Sequence, residues 1–185
     1  MKTNIRISVS AWIIQDGNYG DFSVGDKSTF ALEFCGDALI HSEKRTVELE
    51  HIKDSSYRIC GEVVYVRPEV WVIDVGFNAY WEHTPPDFVS VGDWIEGEIV
   101  LGIDPFFYKE YLCKEEAIPN LSYRWSIKRI ERNDTPWLET SNAHGEKLLT
   151  RDDGQVRWLN TNSTNAWDDD EGSADYVLHI DRCDL

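Results

Sequence analysis

The stretch SVGDWIEGEIVLGIDPF, residues 90–106, decides how this chain is read. Its Val-Gly-Asp is a turn: glycine takes backbone angles other residues avoid, and aspartate can hydrogen-bond its own local backbone. Alternation follows. Ile95, Ile99, Leu101 and Ile103 fall on one side of a strand while Glu96 and Glu98 fall on the other, a period of two. Gly97 interrupts the inner row, as at a bend in a curved sheet. The stretch then runs into Asp104-Pro105, where an aspartate can accept free amides and a proline suits a first helical position. This predicts one short helix over about 105–117, with Phe107, Tyr108, Tyr111 and Leu112 as its apolar stripe.

The same tetrapeptide stands at Ser23–Asp26, again before an alternating run in which Phe30, Leu32 and Phe34 share a face. Nothing else repeats over a fixed length, so the expectation is two turns of similar build rather than a duplicated domain. Further strands are predicted where Ile5, Ile7, Val9, Ala11 and Ile13 alternate, at TVELEHI (46–52), and where Ile59, Gly61, Val63 and Tyr65 share a face. Arg67-Pro68-Glu69 is a turn, and VWVIDVGF (70–77) is apolar enough for a strand covered on both sides. Tyr123, Trp125 and Ile127 alternate with Arg124, Ser126 and Lys128; EKLLTRDDGQVRWL (146–159) reads as a hairpin turning at Asp153-Gly154, and YVLHIDR (176–182) as a last strand.

From 57 to 131 the order of elements resembles the five-stranded OB barrel, especially the ribosomal-type RNA-binding version. CGEVVYV is similar to its first strand, VWVIDVGF to its second, AYWEH to its third, VGDWIEGEIVLGID to its fourth and YRWSIKRIE to its last. The helix departs from that pattern, following the fourth segment rather than preceding it. The fold class expected is mainly β: a small curved OB-like barrel (57–132) with one short helix. Additional N-terminal strands (1–56) and an acidic C-terminal hairpin and strand (133–185) flank it, all in a single compact domain over 1–185.

Charge narrows the function. The formal net charge is -16, and residues 133–185 alone carry 4 basic against 12 acidic side chains. An OB-like barrel implies nucleic-acid binding, but Arg58 and Arg67 are the sole cations between 57 and 102, so single-strand binding is disfavoured. The N-terminal run has no signal-peptide core, no stretch approaches a membrane span, and the four cysteines lack paired spacing. The expectation is a cytoplasmic protein with free thiols and no membrane association.

Motifs that carry chemistry are missing. His41, His51, His83, His144 and His179 form no close pair with one another or with cysteine, and WDDDEGSAD (167–175) puts a tryptophan in the first ligand position of an EF-hand frame, so no metal or cofactor is expected. Asp74 stands among Val72, Ile73 and Val75, where a backbone-satisfied carboxylate outweighs a catalytic acid. NAYWEHTPPDF (78–88) holds the best contact candidates: Tyr80, Trp81, Glu82 and His83 beside a stiff Pro85-Pro86. Three readings stay open. The leading one is a non-catalytic acidic module that binds a basic protein, as an inhibitor or immunity-type partner would. The second is a small-molecule-binding or hydrolytic enzyme with Asp74, Glu82 and His83 at a barrel-mouth pocket. The third is a nucleic-acid module.

Overall fold

The computed structural model describes residues 4–141 and 147–183. Its strands are β1 (Ile5–Ser10), β2 (Lys27–Phe30), β3 (Leu32–Cys35), β4 (Ile40–His41), β5 (Glu48–Lys53), β6 (Ser56–Arg67), β7 (Val70–Asp74), β8 (Asn78–Trp81), β9 (Trp94–Ile103), β10 (Tyr123–Asn133), β11 (Trp137–Ser141), β12 (Lys147–Arg151), β13 (Trp158–Thr161) and β14 (Asp175–Arg182). Two short helices, α1 (Ala11–Gln15) and α2 (Phe107–Glu110), complete the frame. The architecture is mainly β, as the alternation predicts, and Ile95, Ile99, Leu101 and Ile103 all face the core.

One barrel closes through β6, β7, β8, β3 and β9, with β9 returning to β6. Every pair is antiparallel except β3 with β8, where Glu33 sits opposite Tyr80. The first four segments of the OB resemblance therefore hold, and the fifth does not. YRWSIKRIE belongs to β10, which pairs with β2, β13 and β14. Leu32–Cys35, from the N-terminal part of the chain, takes the closing place. Alternation reports that a segment is a strand; it carries no information about which distant strand it joins.

A second circuit runs through β10, β14, β1, β9 and the strand formed by β2 and β3, which Ala31 divides. Here too one pair is parallel, Ser8 opposite Gly102 in β1 and β9. The two circuits agree in register. Residues 27 and 94, each following a Ser-Val-Gly-Asp turn, lie opposite Ser126 and Glu62 respectively. Gly25 N–H donates to Ile127 O (2.8 Å) and Ile127 N–H to Asp26 O (2.9 Å); Gly92 and Asp93 make the same exchange with Val63, both at 2.8 Å. Directly after, β10 shifts register against β14 between Ile127 and Arg129, and β6 against β7 between Val63 and Tyr65. The clasp is reciprocal as well: Tyr57 Oη accepts from Arg6 N–H (2.6 Å) and Tyr123 Oη from Asn78 N–H (3.0 Å). The repeated tetrapeptide thus marks equivalent places in two barrels that share β3 and β9. The two turns are of similar build, as expected, and their surroundings repeat in strand pairing, with almost no further trace in residue type.

Within each turn the aspartate carboxylate accepts the serine amide, at 2.9 Å in the first and 2.7 Å in the second. Gly25 and Gly92 have φ of +96° and +93°, and a Cβ on either meets nothing within 4 Å. Their cost on replacement is therefore backbone strain alone. Gly25→Ala and Gly92→Ala should each lose about 1–2 kcal/mol by urea unfolding, and the two losses should match. A neutral result at either position would show that its turn is not held in this conformation.

Other expectations need adjusting. The N-terminal alternation stops at Ser10, and Ala11, Ile13 and Ile14 are buried from a helical turn, α1. The predicted 105–117 helix shrinks to α2 and a 3-10 turn at Leu112–Lys114, because Phe106 takes φ +98° and Tyr111 leaves helical geometry. Asp153-Gly154 does not turn a hairpin: β12 pairs with β11, whereas β13 pairs with β10. Residues 142–146, which follow β11 in the sequence and include His144, lie outside the described residues. Among the described residues no helix is long and apolar enough to cross a membrane.

Candidate functional site

In β3, Leu32 and Phe34 turn into the barrel and leave Glu33 on its outer face. That places Glu33 between Tyr80 of β8 and Gly102 of β9. The glycine matters: a Cβ there would lie 3.4 Å from Glu33 Oε1 and 3.3 Å from Ser8 Oγ, so the glutamate rests over bare backbone.

Beside it, Asp104 closes β9 and is buried. Its carboxylate accepts from Tyr80 O–H (2.5 Å) and from the amides of Phe106 (3.1 Å), Tyr108 (3.0 Å) and Lys109 (3.2 Å). Its own amide donates to Ala31 O (3.0 Å), and its carbonyl accepts from Tyr19 O–H (3.1 Å). The capping role expected of Asp104 is met, and the same carboxylate staples the α2 segment to the barrel. Burial, and then the Asp104 charge, push both phenols well up from their ordinary values.

Glu33 has no ion pair and no hydrogen-bond partner among the described residues. Its pKa is raised to about 7, first by burial, then by the charges of Asp104 and Glu82. Glu82, exposed on the strand's end, is raised in turn by burial, Asp104 and Glu69. Cys35 is raised by burial and by Glu33 and Asp37. Lys109, whose amide binds Asp104, directs its Nζ to Asn18 O (3.4 Å) and the Tyr19 ring (5.8 Å). Elsewhere several arginines pair with carboxylates: Arg58 with Glu50 and Glu98, Arg132 with Asp134 and Asp169, Arg151 with Asp170. Glu33 and Glu82 make no such pair among the described residues.

The sequence candidates divide between locations. Tyr80 is fully buried and held by Asp104, so it supports the site and is not presented to a partner. Trp81 packs inward against Phe34 (5.5 Å) and Trp71 (5.9 Å), and His83 stacks on its outer side at 5.0 Å and 25°. Glu82 joins the carboxylate patch between them. Asp74 is not brought to this group. It lies at the opposite end of the β7–β8 pair, across from Asn78, and accepts Gly76 N–H at 2.8 Å in the connecting turn. The acidic loop at 168–171 gives Asp169 and Asp170 to Arg132, Tyr176, Arg151 and Trp137. Among the described residues no group of three or more His, Cys, Asp or Glu is placed to hold a metal ion.

Sequence reasoning missed Glu33 and Glu69. Glu33 reads as an ordinary outward residue of an alternating strand. Its neighbours Tyr80, Gly102 and Asp104 arrive through parallel and cross-barrel pairing that no local pattern reports. No family model matches the chain, and no curated protein or solved structure matches it either. Its likeness to an OB barrel rests on strand order alone.

Proposed function

We propose that this chain is a non-catalytic binding protein that docks a basic protein through the patch formed by Glu33, Glu82 and Glu69, backed by the buried charge of Asp104, with Trp81 and His83 as its aromatic shoulder. One observation carries the reading: burial and then repulsion by neighbouring carboxylates raise Glu33 and Glu82, and neither has an ion pair among the described residues. A lysine or arginine supplied by a partner relieves that repulsion, and complementary charge speeds encounter. An inhibitor or immunity-type protein for a basic toxin or nuclease would have these properties. The hydrolytic alternative loses its support, since Asp74 stands apart from Glu82 and His83. The acidic surface also disfavours a nucleic-acid ligand.

The test is to recover a basic partner under native conditions, identify it by mass spectrometry, and measure its association rate with the purified chain. The rate should fall at least tenfold between 50 mM and 300 mM salt, as steered encounters do. Glu33→Gln with Glu82→Gln should slow it further, and binding should tighten as pH rises through about 7, where Glu33 ionises. A rate indifferent to salt and to the double substitution overturns the proposal.

A further inference from the structure

A groove of about 620 Å³ lies next to this patch, between the β6–β7 turn and the segment after α2. Val70 and Leu112 are buried at its base, Tyr65 and Phe107 wall it, and Tyr111 stands 63% exposed at its mouth. The rings form a graded row: Tyr80 to Phe107 at 5.8 Å and Phe107 to Tyr111 at 6.1 Å, each pair inclined by 35°. The cations at the rim are engaged. Arg67 Nε donates to Tyr65 Oη (3.1 Å) with its charge facing Glu115, and Lys114 Nζ lies over the Tyr111 ring at 6.0 Å. Glu69 also lines the groove, and its charge reaches Glu82. Glu69 thus belongs to both, an anionic edge on a groove otherwise lined by aromatic and apolar side chains.

Resting on the binding role above, we infer that the partner enters with an extended, proline-containing segment that seats in this groove and carries lysine or arginine onto Glu69 and the patch beyond. Aromatic-lined grooves suit a polyproline II segment, which arrives preformed and needs no strand edge to pair with. The volume is that of a few residues, not of a folded element. The acidic end fixes the sign of the flanking charge and hence the direction in which the segment lies.

The experiment titrates a ten-residue peptide, with two prolines three positions apart followed by two arginines, against the whole chain by calorimetry. Two control peptides replace the arginines by glutamates or the prolines by glycines. Binding is expected for the first peptide alone. Tyr111→Ala should weaken it at least tenfold and Glu69→Gln several-fold, with the urea midpoint little changed because both side chains lie at the groove's mouth. Equal binding of all three peptides, no binding at millimolar concentration, or indifference to Tyr111→Ala overturns the inference. The recovered partner separates the two claims. If it depends on Glu33 and Glu82 but not on Tyr111, the groove assignment falls and the basic-partner reading stands. If it depends on none of them, both fall.

Discussion

Replacing Asp104 by alanine is expected to be the most damaging change of a single polar residue in this protein, at about 3–5 kcal/mol by urea unfolding. The carboxylate is 1% exposed and collects a phenol and three main-chain amides. Alanine removes the acceptor from all four donors, and two of them, the Tyr80 hydroxyl and the Phe106 amide, are buried away from water. It also frees the α2 segment from the barrel, because Phe107 and Leu112 hold their places over Tyr80, Val72 and Val70 only while that segment is stapled. For a chain of this length the melting temperature should drop by roughly 10 °C. Tyr80→Phe removes one donor and leaves the others, so about 1–2 kcal/mol is expected, and the double variant should lose less than the sum of the two. A loss under 1 kcal/mol for Asp104→Ala, or strict additivity with Tyr80→Phe, would mean the carboxylate does not bind these groups together.

Glu33→Gln is expected to act in the opposite direction. A carboxyl whose pKa is about 7 in the folded chain and near 4.5 unfolded binds more protons when folded throughout the interval between them. Stability then falls as pH rises from 4.5 to 7, and the penalty is fully present above 7. The shift corresponds to about 3 kcal/mol. Glutamine cannot ionise, so the variant should be about 2–3 kcal/mol more stable than the parent at pH 8 and close to it at pH 4.5. His179 adds a separate slope. Burial holds it below its ordinary value, Arg6 and Arg129 act with burial, and Glu131 acts against it, so folding weakens as pH falls through the histidine range. The difference between parent and Glu33→Gln curves cancels that slope. Identical curves for the two proteins would show that neither burial nor neighbouring charge raises Glu33. Gained stability alongside slower capture of a basic partner is the signature of a residue kept at the expense of folding.

How much of this was legible in residues alone can be seen at β9. Its inner row, its turn and the Asp104 cap all follow from local pattern, since side-chain period and turn chemistry act within a few residues. The β6–β7 pair and the strand at Glu48–Lys53 were legible for the same reason. What escaped is long-range. Leu32–Cys35 closes a barrel whose other strands lie after residue 55, and Glu33 becomes part of a site only through that closure. Tyr80 reads as a contact residue because large amphipathic rings beside a stiff loop suit interfaces, yet it is buried with Phe107 of α2 against it. Asp74 and His83 are nine positions apart but occupy the two ends of a strand pair. The second barrel was hidden because matched hydrogen-bond registers need no matched side chains beyond one four-residue turn.

That sharing of β3 and β9 has a mechanical consequence. The two barrels hold β3 and β9 in common, so neither can lose those strands without opening the other, and unfolding should pass through no half-folded species. A fragment holding β6 to β9 would have an open seam where Leu32–Cys35 belongs, and a second copy of itself offers the most similar strand to fill it. The same mutual dependence fixes β3 from both sides, which keeps the crowded glutamate from drifting away from its neighbours when no partner is bound.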